Sequence, residues 1–418
     1  MDESFTDPVA EVVRKTVARS LLAFAGVQGA VITGLVVLDL IKKRGRSKRK
    51  GFPHPGIFDR TIADTDVTTY TYGADLYRDM LQAIREAKDS ILLETFIWKN
   101  DETGQEFKDA INEAAGRGVD VFVIYDGFAN LVVPSSFFRF HPDVHVHRFP
   151  VIRTSMLTKT LRSTGLDHRK LLIVDSQIGF VGGYNIGSLY ATEWRDTHLR
   201  LVGPSVWDLR QAFVNVWNEN ASGTTPEVPH TNPDVWEPRI RTVNNMPANL
   251  VYPIRGVYLD AITRAQDHIY VTMAYFIPDQ QILRALQAAS RRGVDVRIIL
   301  PQDSNHILSD WLSRGFYRSL LEDGVTILLY RNAMIHAKTA TIDGGWSTVG
   351  SANIDRLSLT GNYEINLEIH DEDFASDMQR IFEVDSQNSK VLTMDEWQHR
   401  SLLARFSETV LIPLRPLL

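Results

Sequence analysis

Two stretches of the chain repeat one pattern of polar residues, which reads H-x-K-x4-D-x6-G-[GS]-x-N. The members are His168, Lys170, Asp175 and Asn185 in the first stretch, and His336, Lys338, Asp343 and Asn353 in the second. A single copy would be weak evidence, because such residues also occur together on ordinary surface strands. Two copies with identical internal gaps predict a functional site that the chain builds twice.

These residue types suit the chemistry of a phosphodiester. On a strand, the histidine and lysine of each copy point to the same face, because side chains alternate with a period of two. Lys170 and Lys338 supply positive charge to the non-bridging oxygens, and Asn185 and Asn353 supply hydrogen-bond donors. With two histidines, one imidazole can attack phosphorus while the other protonates the leaving alcohol.

No carboxylate cluster with the spacing of metal ligands accompanies this pattern, so neither a metal ion nor another cofactor is expected. Each histidine instead needs an acceptor that orients its second ring nitrogen. Asp196 and Glu364 each lie 28 residues after the histidine of their own stretch. This matched spacing predicts that they orient the two imidazoles.

The elements around the pattern are also repeated. The run AKDSILLETFIW, from Ala87, returns as AQDHIYVTMAYF, from Ala265, and RGVDVFVIYDG, from Arg117, returns as RGVDVRIILPQ, from Arg292. Apolar residues at helical spacing lead into short, branched strands in both copies, which predicts βαβ units. We therefore expect an α/β fold of two pseudo-repeat lobes, each a mixed β-sheet flanked by helices, with one composite site between them.

The predicted boundaries follow composition. Residues 1–50 form an N-terminal membrane helix with a basic segment, 51–221 the first lobe, 222–248 a linker rich in Pro, Ser and Thr, and 249–418 the second lobe with a C-terminal apolar segment.

The N-terminal region carries 18 uncharged residues from Leu21 to Leu38, and Asp39, Leu40 and Ile41 extend this run. That length is just sufficient for a membrane span, and a helix lying in the interface or packing on the protein is the alternative. Residues 42–50 then hold seven bases and no acid. The positive-inside rule places the remainder of such a chain in the cytoplasm.

Composition excludes several other classes of function. Of 418 residues, 45 are basic and 51 are acidic, so the net charge of −6 does not indicate a globally basic nucleic-acid binder. The chain contains no cysteine, which excludes a cysteine nucleophile, a thiolate metal site and a disulfide framework.

The doubled motif resembles that of the phospholipase D superfamily, and longer runs are similar to its bacterial cardiolipin synthase branch over roughly residues 55–418. These runs are LYRDMLQAIREAKDSILLETFIW, WRDTHLRLVGP at Trp194–Pro204, AYFIPD at Ala274–Asp279 and GSANIDRLSLTGNYEINL from Gly350. The resemblance implies a metal-free phosphatidyltransferase that joins two phosphatidyl units onto one glycerol, at the cytoplasmic side of a bacterial inner membrane.

Carried onto this sequence, the resemblance implies that His168 is the nucleophile and His336 the general acid and base, with Asp196 and Glu364 orienting them. It places Asp175 and Asp343 behind the site at the seam between the lobes. Phosphatidylglycerol and other anionic phospholipids are the implied partners, and no nucleic acid is expected. A hydrolytic phospholipase D, a nuclease and an inactive membrane scaffold are the alternatives, and the oligomeric state stays open.

Overall fold

The computed structural model describes residues 17, 26–35, 37, 51–150, 165–221, 225–233, 235 and 237–413. The strands of the first half are β1 Ile57–Ile62, β2 Thr65–Tyr70, β3 Ser90–Thr95, β4 Asp120–Asp126, β5 Val144–Phe149, β6 Leu171–Val174, β7 Ile178–Gly182, β8 Trp194–Arg195 and β9 His198–Val202. Those of the second half are β10 Ile240–Asn245, β11 His268–Met273, β12 Asp295–Pro301, β13 Thr326–Tyr330, β14 Met334–Ile335, β15 Lys338–Ile342, β16 Trp346–Gly350, β17 Glu364–His370 and β18 Ser389–Val391.

Helices cover these strands in both halves of the chain. They are α1 Gly73–Glu86, α2 Glu102–Gly116, α3 Ser188–Thr192, α4 Val206–Asn220, α5 Pro253–Arg264, α6 Gln280–Arg291, α7 Ile307–Glu322, α8 Arg356–Thr360, α9 Glu372–Gln387, α10 Met394–Gln398 and α11 Leu402–Leu411.

Each half of the chain builds one eight-stranded sheet. The strand orders are β1-β2-β9-β7-β6-β3-β4-β5 and β10-β17-β16-β15-β11-β12-β13-β18. In each sheet two neighbouring pairs are parallel, β3 with β4 and β4 with β5, or β11 with β12 and β12 with β13, whereas the other pairs are antiparallel. The predicted mixed sheet flanked by helices in each lobe is confirmed.

The repeated βαβ units arise from local sequence patterns. Leu76, Met80 and Ile84 form the buried stripe of α1, which precedes β3. The next helix, α2, begins where the side chain of Asp101 accepts a hydrogen bond from the backbone of Gly104, 3.0 Å away. Its buried face leads into β4, whose last six residues are all buried. β4 pairs in parallel with β3, as β12 does with β11, so β4 and β12 end at equivalent edges of the two sheets.

The two lobes share a hydrophobic core as well as having one each. Leu171 and Leu199 from the first sheet belong to the same buried cluster as Ile365 and Leu367 from the second. A fully buried ion pair also crosses between them, with Nη2 of Arg195 lying 2.8 Å from the Asp385 carboxylate. This packing fixes the register of one lobe against the other.

The N-terminal region and the linker between the lobes are described only in part. Residues 26–35 are helical, and Leu35 packs with Ile277, Leu312 and Leu411. Among the described residues, no helix combines the length and the apolarity that a membrane crossing requires. The basic segment 42–50 and much of the predicted span lie outside the described residues, as do residues 222–224 of the predicted linker. The second sheet begins inside that linker range, because β10 pairs with β17.

Candidate active site

The two motif histidines enter one site because each stands on a segment that pairs with the other lobe. Asp167 forms a parallel bridge with Tyr363, and the backbone N–H of His168 donates to the Tyr363 carbonyl over 3.0 Å. On the other side, β14 pairs in parallel with β8, and His336 donates its N–H to the carbonyl of Arg195. These two exchanged pairings bring the two copies of the motif to the seam between the lobes.

Each imidazole is held by a carboxylate of the opposite lobe. Nδ1 of His168 lies 3.0 Å from both oxygens of Glu364, and Nδ1 of His336 lies 2.6 Å from Oδ2 of Asp196. Both acids thus lie beside imidazoles, as the sequence predicts, but each contacts the histidine of the other lobe although it follows that of its own lobe by 28 residues. The parallel pairings explain the exchange, because they set His168 beside Glu364 and His336 beside Asp196. In both pairs the ring nitrogen that contacts the carboxylate is Nδ1.

The two lysines lie beside the histidines of their own motifs. Nζ of Lys170 donates to the backbone carbonyl of His168, and Nζ of Lys338 donates to that of His336. Nζ of Lys338 also lies 2.9 Å from Nδ1 of His336. All four side chains are buried. The positive charge of each lysine also acts on the pKa of the histidine from the other lobe, so the four groups form one electrostatic unit.

Burial and charge keep the imidazoles neutral in this site. Burial, followed by the charges of Lys170 and Lys338, lowers the pKa of His168 well below its ordinary value. Burial and Lys338 lower the pKa of His336 to about 3. Burial also lowers the pKa of Lys170 to about 8 and that of Lys338 to about 7, although the nearby carboxylates oppose it.

The two orienting acids have different electrostatic states. Burial acts to raise the pKa of Asp196, but Lys338 and His336 outweigh it and hold this pKa below the usual value. Burial dominates at Glu364 and raises its pKa to about 7. The two histidine–carboxylate pairs are therefore similar in geometry but not in charge.

The small residues of the motif account for how closely the acids approach. A Cβ atom at Gly183 would lie 2.1 Å from Oδ1 of Asp196, so a larger residue there would collide with this carboxylate. The equivalent residue of the second lobe is Ser351, whose hydroxyl donates to Glu364. Glycine thus makes room for one acid, and serine binds the other.

The two asparagines present their amide groups from matching positions. Oδ1 of Asn185 accepts the N–H of Ile97 over 3.1 Å, and Oδ1 of Asn353 accepts the N–H of Tyr275 over 3.2 Å. With the oxygens used in this way, the amino groups are the ends that can donate to a phosphate.

The motif aspartates lie elsewhere, in contrast to their expected place at the seam. Asp175 follows β6 at the end of the sheet opposite His168, and its carboxylate accepts the backbone N–H groups of residues 88, 89 and 90. Asp343 does the same for residues 266, 267 and 268. Both have φ of 52°, a left-handed conformation that aspartate tolerates better than most residues. They order the turns before β3 and β11, away from the site.

Aromatic rings that the motif did not reveal complete the walls. The ring centroid of Phe96 lies 4.6 Å from that of His168, and Trp194 lies 5.0 Å from His336. Tyr275 also packs edge-on to His336, at 6.2 Å. Phe96 and Tyr275 fall at the ends of the repeated strands, and Trp194 lies two residues before Asp196. Their position in the sequence, next to the elements that carry the motif residues, was the signal that could have identified them as site residues.

The depressed pKa of His336 should appear in the stability of the chain. In the unfolded chain this imidazole titrates near pH 6.5, so below that pH unfolding takes up a proton that the folded site rejects. The free energy of unfolding should therefore fall as the pH decreases from about 6.5 towards 3. His336→Asn should remove this contribution, which amounts to at most about 1.4 kcal/mol per pH unit.

Denaturant unfolding at about pH 7, 6 and 5 measures this slope. His399→Asn is the control, since the His399 side chain is 76% exposed. If His336→Asn keeps the wild-type slope, the assigned pKa is incorrect.

The two equivalent sheets and the four-residue unit at their seam define a two-lobed phospholipase D-like protein. A family model described as "Cardiolipin synthase, PLD-like domain" matches residues 80–217 and 258–386. The chain belongs to this family of phospholipase D-like cardiolipin synthases.

Individual relatives agree with this membership. The chain is 33% identical over 366 residues to the major cardiolipin synthase ClsA of Bacillus subtilis (strain 168), covering 85% of this chain and 76% of that protein. It is also 33% identical over 367 residues to a cardiolipin synthase of Staphylococcus aureus (strain Mu50), covering 85% and 74%. A phosphatidylserine synthase of Haemophilus influenzae shares the fold, with a TM-score of 0.64, 16% identity, and 86% and 94% coverage.

Proposed function

We propose that this protein is a cardiolipin synthase that converts two molecules of phosphatidylglycerol into cardiolipin and glycerol. The observation that carries the proposal is the pair of histidines held at one seam by opposite carboxylates and flanked by two buried lysines. Family membership supports the substrate class. The reaction needs a nucleophile, a proton donor and charge stabilisation for one phosphodiester, and this site supplies each of them.

In the first half-reaction, Nε2 of His168 attacks the phosphorus of one phosphatidylglycerol, and the bond from phosphorus to the headgroup glycerol breaks. His336 gives a proton to the departing glycerol oxygen. In the second half-reaction, His336 takes the proton of a headgroup hydroxyl on another phosphatidylglycerol. That oxygen attacks phosphorus, the phosphorus–nitrogen bond breaks, and cardiolipin leaves.

The substrate charge makes this proton transfer possible. His336 is neutral in the empty site because burial and Lys338 oppose its protonation. The phosphodiester between Lys170 and Lys338 offsets the lysine charges, so its binding favours uptake of a proton from water by the His336 imidazole. The second half-reaction returns a proton to His336, so the cycle balances. The Asn185 and Asn353 amides complete the binding of the non-bridging oxygens.

Product analysis tests the proposed function. Purified protein incubated with phosphatidylglycerol should yield cardiolipin and glycerol in equal amounts, resolved by mass. Release of phosphatidic acid instead would favour a hydrolytic phospholipase D and contradict the proposal.

The same assay tests metal dependence. The two carboxylates of the site are bound to the imidazoles, and the groups left for the phosphate are ammonium and amide groups, so a chelator should leave turnover unchanged. Loss of activity that one particular divalent ion restores would contradict the histidine mechanism.

We further propose that the segment 21–41 attaches the enzyme to a bacterial inner membrane, with the lobes on the cytoplasmic side. The apolar run and the seven bases that follow it support this proposal. Deletion of residues 1–50 should turn an integral protein into one that salt or alkali extracts from membranes. Fractionation and extraction measure this change, and unchanged extraction would show that the lobes themselves hold the membrane.

A further inference from the structure

The loop at residues 127–133, between β4 and β5, exposes an unusual set of apolar side chains. Phe128 is 53% exposed, Leu131 56% and Val132 85%, all within five residues. Single exposed apolar residues are normal on a protein surface, but a contiguous group more often marks a contact surface.

This exposure belongs to an ordered loop. Oδ1 of Asp126 accepts the N–H of Phe128 over 2.9 Å and that of Ala129 over 2.8 Å. Asn130 bonds through both ends of its amide, donating to the carbonyls of Phe96 and Asp126 and accepting the N–H of Trp98. The fold therefore presents these apolar residues to solvent on a fixed base.

The residues that order this loop also contact the segment that carries His168. Oδ2 of Asp126 accepts the N–H of Asp167, the residue before His168, over 3.0 Å. Phe96, whose carbonyl binds Asn130, packs its ring against the His168 imidazole. The 127–133 loop thus lies at the same edge of the first sheet as the site, one contact away from its histidine.

The surroundings of the loop combine aromatic and cationic groups. Phe137, Phe138 and Phe140 pack around Trp98 beneath the loop. Nζ of Lys108 lies 5.2 Å from the centroid of the Phe137 ring. Arg139, close by in the sequence, is exposed. An apolar tip bordered by positive charge fits the interface of an anionic bilayer.

The second lobe places the N-terminal helix at the corresponding edge. Helix α7 follows β12, just as the 127–133 loop follows β4. The helical residues 26–35 pack near α7 and α11, because Leu35 belongs to one buried cluster with Leu312 and Leu411. The helical residues 26–35 and the 127–133 loop therefore both stand at the edge that holds the histidines.

From this arrangement we propose that the 127–133 loop inserts into the bilayer interface and sets His168 at the depth of lipid headgroups. The occupant of this surface is a bilayer containing anionic phospholipid. The inference rests on the proposed function and extends it, because it says how a lipid phosphate reaches the site without leaving the membrane.

The absence of cysteine makes a direct test possible. The full-length Val132→Cys variant, carrying a polarity-sensitive fluorophore and reconstituted into phosphatidylglycerol vesicles, should show blue-shifted emission that brominated acyl chains quench. The control is Val391→Cys on the outer strand of the second sheet, which is 53% exposed and should emit as in water. Equal responses at both positions, or an aqueous signal at Val132, would overturn the proposal.

A second measurement separates interfacial contact from chemistry. The triple variant Phe128→Ser, Leu131→Ser, Val132→Ser should lose roughly tenfold or more of its turnover on vesicles and keep its turnover of a monomeric short-chain phosphatidylglycerol. Equal losses on both substrates would show a structural effect, and no loss on either would show that the loop is not an interface. If the fluorophore at Val132→Cys is shielded in the absence of lipid, and the shielding increases with protein concentration, the surface binds a second copy of the chain and the proposal is overturned.

These outcomes also distinguish the two proposals. If wild-type protein fails to turn over phosphatidylglycerol but the Val132 label still enters the bilayer, the proposed function fails and the membrane surface stands. If turnover occurs while the Val132 label stays in water, the proposed function stands and the membrane surface fails.

Discussion

His168→Ala is expected to abolish both turnover and the covalent phosphatidyl adduct. The adduct requires the imidazole nitrogen of His168, and the Lys170 ammonium does not replace it, since it is bound to the carbonyl of His168. We expect a loss of roughly a thousandfold or more in turnover of phosphatidylglycerol. Rapid quenching followed by mass analysis of the intact protein measures the adduct.

His336→Ala should be equally damaging on phosphatidylglycerol but should differ on an activated substrate. A glycerol alkoxide is a poor leaving group and needs a proton, whereas a nitrophenolate does not. With a phosphatidyl nitrophenyl ester, His336→Ala should therefore still form adduct. His399→Ala, at an exposed position, should behave as wild type on both substrates. If His336→Ala loses the adduct and His168→Ala retains it, the two roles are reversed.

The sequence predicted the parts of this molecule that local patterns determine. The apolar stripe at Leu76, Met80 and Ile84 predicted a helix leading into a strand, and α1 followed by β3 is the result. The repeat of these patterns predicted two equivalent mixed sheets. Such features depend on neighbours a few residues away, so a single sequence contains the information.

Which acid pairs with which histidine could not be predicted from local sequence patterns. It depends on Asp167 lying beside Tyr363, a contact between residues 196 positions apart, as the Leu166–Asn362 hydrogen bond also shows. Equal spacing of 28 residues suggested pairs within each lobe, but spacing along the chain does not fix which strand ends meet. The exchanged pairing is set by the shared core and by the Arg195–Asp385 ion pair.

Membership of a motif was likewise a poor guide to position. Asp175 and Asp343 repeat as regularly as the histidines, yet each orders a turn at the far end of its sheet. The short β6 and β15 strands separate the two ends, so a histidine and an aspartate of one motif face opposite edges. The repeat preserves these aspartates because the same turn must form twice.

The exchanged pairing predicts which acid acts with which histidine. Asp196→Asn should behave like His336→Ala: it should lose turnover of phosphatidylglycerol but still form the adduct with the nitrophenyl ester. Glu364→Gln should follow His168→Ala and lose adduct formation on both substrates, because the nucleophilic imidazole is no longer held in one orientation. Loss of an orienting carboxylate can lower turnover by up to about four orders of magnitude.

A double-mutant comparison completes the argument. Adding Glu364→Gln to His168→Ala should cost little more than the histidine change alone, since the acid acts through that imidazole. Adding Glu364→Gln to His336→Ala should instead remove the adduct that the single variant still forms with the nitrophenyl ester. Ser351→Ala offers a milder check. The Ser351 hydroxyl binds Glu364, so its loss should weaken the contact that orients His168. Once the single histidine variants have shown that His168 is the nucleophile, recovery of Glu364→Gln but not of Asp196→Asn on the activated ester would mean that each acid serves the histidine of its own lobe, contrary to the structure.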